Sequence, residues 1–143
     1  MLKLPPRMEE ILLLASGKRM REVEIAEELG ISKQAVSKAL RESRARLTQI
    51  FLAVAEVLNS DIIRINVEKG FIVLRNRQTR AKLYVLYAPG KGPRVFLAEN
   101  LGADKSYCEK LIDAAVKWGL IEQDDIRGEL DEVMKNLISR MEG

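Results

Sequence analysis

Gly30 separates two stretches whose apolar residues recur at helical spacing, and this corner restricts the possible folds more than any other point in the chain. Val23, Ile25, Ala26 and Leu29 mark a first helix. Gly30 can take the left-handed conformation that ends a helix abruptly, and Ser32 is placed to cap a second helix opening at Lys33. Ala26 supplies the small residue that a close crossing needs. Ile31, Val36, Ala39 and Leu40 then fall on the inner face, against Ile25 and Leu29. Ser32 at the head of the second helix, then Lys33, Gln34, Ser37, Lys38 and Arg41, form an outward polar and cationic stripe with no acid before Glu42. A solvated face usually mixes signs, which this stripe does not.

This stretch, Ile25-Ala-Glu-Glu-Leu-Gly-Ile-Ser-Lys-Gln-Ala-Val-Ser with trailing Arg44 and Arg46, resembles the helix-turn-helix of LuxR-type, sigma-factor region four and archaeal Tfx-type regulators over about residues 7–60. The resemblance implies binding of double-stranded DNA, with the second helix in the major groove and the stripe as the contact surface. Beyond residue 60 no such likeness exists, so no ligand or partner is carried over from those families. The alternative is a purely structural corner, since any helical hairpin needs a glycine turn and an apolar inner face.

On the N-terminal side, Pro5 and Pro6 lead into a supporting helix over Arg7–Ser16, with Ile11, Leu12 and Leu14 expected to meet Val23, Ile25 and Val36. Lys18, Arg19 and Arg21 crowd the corner after it, a candidate contact for a DNA backbone or simply a solvated turn. On the C-terminal side the helical pattern continues to Leu58 without a glycine or proline. Val36, Leu40, Ser43, Leu47, Ile50, Val54 and Val57 follow one another in the four-and-three steps of a coiled-coil seam. Phe51 to Leu58 is apolar nearly all round. Leu47, Ile50, Phe51, Val54, Val57 and Leu58 are therefore expected either to form a homodimer interface or to lie beneath the following sheet.

From Asp61 the period changes to two. Ile63, Ile65 and Val67 alternate with Arg64 and Asn66, Glu68-Lys69-Gly70 is a turn, and Phe71-Ile-Val-Leu completes a hairpin. A second hairpin joins Lys82–Tyr87 to Arg94–Leu97 through Ala88-Pro-Gly-Lys-Gly-Pro. Between the hairpins, Arg75, Arg77, Arg80 and Lys82 place four cations in eight residues. That loop is a candidate phosphate contact in the manner of a wing, or simply a solvated turn. Two amphipathic helices close the chain: one bearing Tyr107, Leu111, Ala114, Ala115 and Trp118, the other Leu130, Val133, Met134, Leu137, Ile138 and Met141. The expected fold is α+β, with a helix-turn-helix unit and dimerisation helix at 1–60 and an antiparallel sheet with two C-terminal helices at 61–143, a possible dimerisation or effector domain.

Charge supports this division. The net +3 is spread as ten Lys/Arg against eight Asp/Glu in 1–60, eight against two in 61–97, and six against eleven in 98–143. The basic middle suggests a second surface for phosphates, and the acidic tail should point away from DNA. The 31% charged content, with few Asn and Gln, is what a heat-adapted source would show. No apolar run approaches the roughly 18 residues of a membrane span, and the start lacks a signal-peptide pattern, so the expected location is the cytoplasm. The single Cys108 cannot form an internal disulfide and is expected to be a small core residue. With no His at all, a zinc finger or a His-dependent catalytic site cannot be assembled, and no enzyme, metal or cofactor is expected. Gly90-Lys91-Gly92 lacks the rest of a phosphate loop, and Glu122, Asp124 and Asp125 lack calcium-loop spacing. The expected partner is palindromic double-stranded DNA, bound by a homodimer. The rival is a protein-interaction adaptor whose helix-turn-helix serves packing and whose acidic tail receives a basic partner. An RNA-binding sheet is a third possibility that Phe71, Tyr84, Tyr87 and Phe96 do not support by their spacing.

Overall fold

In the computed structural model, which describes residues 2–100 and 104–143, three N-terminal helices precede a four-stranded sheet and two further helices. Helix α1 spans Pro6–Ser16, α2 spans Glu22–Leu29 and α3 spans Lys33–Val57. Proline is tolerated in the first turn of α1 because the missing N–H has no helical acceptor there. Gly30 has φ 66° and ψ 35°, and Ile31 N–H folds back to the Ala26 carbonyl at 3.1 Å, which makes the expected corner. The Ser32 hydroxyl accepts from Ala35 N–H at 3.0 Å and caps α3. Such a cap contributes about 1 kcal/mol. Nothing then interrupts α3, a rod of 25 residues.

The strands β1 (Ser60–Asn66), β2 (Phe71–Asn76), β3 (Lys82–Ala88) and β4 (Gly92–Phe96) form an antiparallel meander in sequence order. In β2, Phe71 to Leu74 are all buried, as are Tyr84 to Ala88 in β3. Successive side chains point to opposite faces, so both faces of the sheet are covered. One face receives α1 and α3. The Tyr87 hydroxyl accepts from Leu4 N–H at 2.7 Å and donates to Glu9 at 2.8 Å, while Asn76 donates to the Leu58 carbonyl at 3.1 Å. The other face receives α4 (Lys105–Lys117) and α5 (Leu130–Glu142). On that face Glu142 accepts from Lys82 at 2.6 Å and from the Tyr84 hydroxyl at 2.9 Å. Burial, followed by the Glu142 carboxylate, pushes the Tyr84 phenol up to about 12.

One continuous core runs from Leu4 to Met141 and does not stop at residue 60. Cys108 lies in it as a free, buried thiol. Trp118 closes the space between the layers: its indole N–H donates to the Tyr87 carbonyl at 2.7 Å, and its ring lies against Gly70. A Cβ on Gly70 would come within 2.2 Å of that ring, and its φ of 68° favours glycine as well. From the same turn the Lys69 ammonium donates to the carbonyls of Ser16 at 3.2 Å and Trp118 at 3.3 Å. Desolvation first, and the nearby Arg19 second, lower the Lys69 pKa.

Two expectations change, and of the two alternatives for the α3 seam the buried one describes most of its residues. Leu47, Ile50, Phe51 and Val54 are buried within the chain's own core. The apolar seam of α3 is thus filled by α1 and the sheet, and of the six expected interface residues only Val57 is exposed, with Leu58 half-buried. Val23 stands 45% exposed rather than inside the core. The alternation expected in β1 is broken by a bulge between Ile62 and Arg64, which leaves both Ile63 and Ile65 outside the core. Glu122, Asp124 and Asp125 fall at and within a 3-10 turn over Gln123–Ile126, and Gly90 and Lys91 in the tight β3–β4 turn.

Candidate nucleic-acid interface

The outward face of α3 begins where its cap fixes the helix direction. Val36 and Leu40 are fully or nearly fully buried, which pins the opposite face and fixes the rotation of the helix. Lys33, Gln34, Lys38 and Arg41 are exposed, and Lys33, Gln34 and Arg41 carry no ion pair or side-chain hydrogen bond among the described residues. Lys38 lies 3.9 Å from Glu42 in a solvent-exposed pair that holds it only weakly. From Lys33 to Arg41 the stripe covers about 12 Å of helix, close to the width of a DNA major groove.

Three of the expected contacts are already occupied. Ser32 spends its hydroxyl on the cap. The half-buried Ser37 donates its hydroxyl to the Glu22 carboxylate and so locks α2 to α3. Arg44 lies against Glu68 of the β1–β2 turn, with Nη2 donating to Oε2 at 3.1 Å and Nε 2.7 Å from Oε1. These residues hold α3 in place. Glu22 and Glu68, which do the holding, have no periodic relation to their partners and left no signal in the sequence. Ala35 is exposed among the cations, and its methyl is the kind of group that meets a thymine methyl.

Around the stripe, Lys18 and Arg19 are exposed on the α1–α2 corner, where Arg19 adopts a φ of 54°. Arg21 precedes α2, and its backbone N–H donates to the Glu24 carboxylate at 2.8 Å. That bond, with a second from the Arg21 side chain, holds the Glu24 pKa below the usual range. An open cleft lined by Met20, Val23, Lys33, Leu40 and Arg44 runs between this corner and α3.

The basic β2–β3 loop lies elsewhere. Arg77 N–H donates to the Asn59 carbonyl at 3.1 Å, and Asn76 reaches Leu58, so the loop is fastened to the far end of α3. That end is about 30 Å along the helix from Lys38, which removes the loop from the place a wing would occupy. Its charge is also partly engaged: Arg77 pairs with Asp61 at 2.9 Å, Lys82 with Glu142 at 2.6 Å, and Arg75 donates to the Arg80 carbonyl at 3.0 Å. Arg80 alone of the four is exposed without such a partner among the described residues. The hairpin turn nearest the recognition unit is instead β1–β2, which offers Glu68 and the tethered Lys69.

The family model for Sigma-70, region 4 matches residues 1–47. This part of the chain is similar to sigma-70 region 4. That domain is a helix-turn-helix that binds DNA in transcription and carries no enzymatic chemistry. The match takes in α1, the corner, α2 and the whole outward stripe, and ends at Leu47, inside α3. It supports the sigma region four likeness over a shorter span than expected. Comparison with curated proteins and with solved structures gave no match. Among the described residues no helix is long and apolar enough to cross a membrane, and no group of His, Cys, Asp and Glu is placed to hold a metal ion.

Proposed function

We propose that the chain is a sequence-specific, double-stranded DNA-binding transcriptional regulator that acts as a homodimer, with the first half of α3 in the major groove. The observation that carries this reading is the stripe Lys33, Gln34, Lys38 and Arg41: exposed and held in a fixed rotation by Val36, Leu40, Ser37 and Arg44. Gln34 suits bidentate pairing with adenine, and Lys38 or Arg41 with guanine. Lys18, Arg19 and Lys33 neutralise phosphates and set register, which gives affinity without sequence preference. Two such helices in a dimer would address half-sites about 34 Å apart, or a multiple of that, so the operator would be palindromic.

The test is selection of bound duplexes from a random pool, repeated with Gln34→Ala and Lys38→Ala at two salt concentrations. An enriched palindrome that relaxes in the variants is the expected result. Salt-sensitive binding without any enriched sequence would replace base reading by general backbone binding. Absence of binding would leave the adaptor role, in which the acidic C-terminal segment meets a basic partner.

A further inference from the structure

Two open clefts meet where α1, α4 and the β3–β4 turn come together, and Pro89 and Lys117 border both. The larger, of about 630 Å³, runs between α1 and α4, with Leu13 and Leu14 on one wall and Val116 on the other. The smaller, of about 320 Å³, lies between α4 and the second hairpin and is bordered by Lys91, Arg94, Lys110 and Lys117. Both fall in the size range of small-molecule sites, roughly 300–1,000 Å³.

The clefts differ in chemistry because α4 gives each a different face. Lys110 and Lys117 stand about two helical turns apart on one line. Val116, one residue earlier, borders the α1 side instead. The Lys117 ammonium lies 3.2 Å from Asp113, which borders the charged cleft and not the apolar one, so it belongs to the charged side. The Tyr107 hydroxyl donates to the Val95 carbonyl at 2.8 Å and draws the start of α4 onto β4, the strand that carries Arg94. At its other end α4 touches α1: a Cβ on Gly17 would come within 2.1 Å of the Lys117 carbonyl, which bounds the apolar cleft there.

The charge of the smaller cleft is largely unspent. Among the described residues Lys91 and Lys110 have no ion pair, and Arg94 donates only to the neighbouring Pro93 carbonyl, at 3.1 Å. Glu109 and Asp113 share the cleft, so four cations face two acids. That balance suits one or two negative charges and falls short of a triphosphate. In the larger cleft the acids are engaged: Glu9 accepts from the Tyr87 hydroxyl at 2.8 Å, and Glu10 pairs with Arg7 at 2.9 Å. No aromatic ring borders either cleft among the described residues, which leaves aliphatic contact rather than stacking to hold the apolar part of a ligand.

We infer that the paired clefts bind a small aliphatic carboxylate, its head among Lys91, Arg94 and Lys110 and its chain between Leu13, Leu14 and Val116. Burial of the chain supplies affinity in proportion to its length, and the cations supply the preference for a charged head. The bound acid touches both α1 and α4, so it stabilises the folded chain against heat.

The experiment is calorimetric titration of the full chain without DNA. The probes are butyrate, hexanoate and decanoate, each below its micelle-forming concentration, with decanol, inorganic phosphate and ATP as compounds that carry only part of the chemistry. Decanoate is expected to bind one to one, with affinity rising roughly threefold for every two methylenes along the series. It should bind about tenfold more tightly than decanol or phosphate. Arg94→Gln with Lys110→Gln should weaken decanoate about tenfold and remove its effect on the melting temperature, with circular dichroism unchanged because neither side chain is in the core. Val116→Gln should flatten the chain-length series. Absence of saturable decanoate binding, an affinity indifferent to chain length in the wild type, or equal binding by wild type and the double variant would each overturn the assignment. Tighter binding of ATP than of decanoate would overturn it in favour of a nucleotide. The chain-length series needs no variant, so it decides even if a substituted chain folds poorly. Every titration is read without DNA, so its failure and the failure of DNA binding are separate results.

Discussion

The two halves of α3 are one helix with opposite surfaces. From Lys33 to Arg44 the buried side, Val36, Leu40 and Ser43, packs on α1 and α2, and the outward side is cationic. From Leu47 to Val57 the buried side is deep, with Leu47, Ile50, Phe51 and Val54 all inside the core, and the outward side carries Leu52, Ala53 and Val57. The first half offers charge to a polyanion; the second anchors the helix to a sheet. Stability and the proposed DNA contact are therefore drawn from separate turns of one element, and substitutions in the two halves should separate the two properties.

The largest expected effect is on the anchor. Phe51→Ala should lower unfolding free energy by about 3–5 kcal/mol, read by denaturant titration, while the fraction that stays folded keeps its DNA affinity. A loss of affinity in the folded fraction would show that the halves are not independent. Next comes the reader: Lys38→Ala should weaken DNA binding by about 1–3 kcal/mol with no change in melting temperature. Under the same conditions Arg80→Ala, on the remote β2–β3 loop, should leave both the affinity and its salt dependence unchanged. An equal drop in the two variants would return the loop to the interface. Ser32→Ala sits at the head of the reader half and should cost about 1 kcal/mol of stability through the lost cap, measurable as a shift of the denaturant midpoint.

The smallest effect concerns the layer behind the sheet. A hydrogen bond from Lys82 holds the Glu142 pKa below the usual carboxylate range, with Tyr84 adding to it. A carboxylate whose folded pKa is depressed contributes stability above its unfolded value of about 4.3 and loses that contribution as pH falls through the folded one. Wild type should therefore lose a few tenths of a kcal/mol across that window relative to Glu142→Gln, since the pair is over a third exposed on the lysine side. A parallel pH profile for the two proteins would remove this contact from the acid response.

The reader half was legible in the sequence because its determinants are local. Ala26, Gly30 and Ser32 act within a few residues of themselves, and the rotation of the stripe follows from the positions of Val36 and Leu40. The hairpins and the closing helices were legible for the same reason, through their periods of two and 3.6. The anchor half was not, because a four-and-three seam states only that a face is buried and is silent about what buries it; here α1 and the sheet do so. The unbroken apolar runs at Phe71–Leu74 and Leu83–Ala88 did carry a hint that helices cover both faces of the sheet. Pairings such as Ser37 with Glu22 and Arg44 with Glu68 depend on how separate elements meet, and periodicity carries no record of them.

A helix of 25 residues without a kink behaves as a lever about 37 Å long. If its Val57 end tilts by about 5°, its Lys33 end swings by about 3 Å, close to the 3.4 Å rise of one base pair. A slight change in what leans on the anchored end would thus carry the cationic stripe sideways by about one base step.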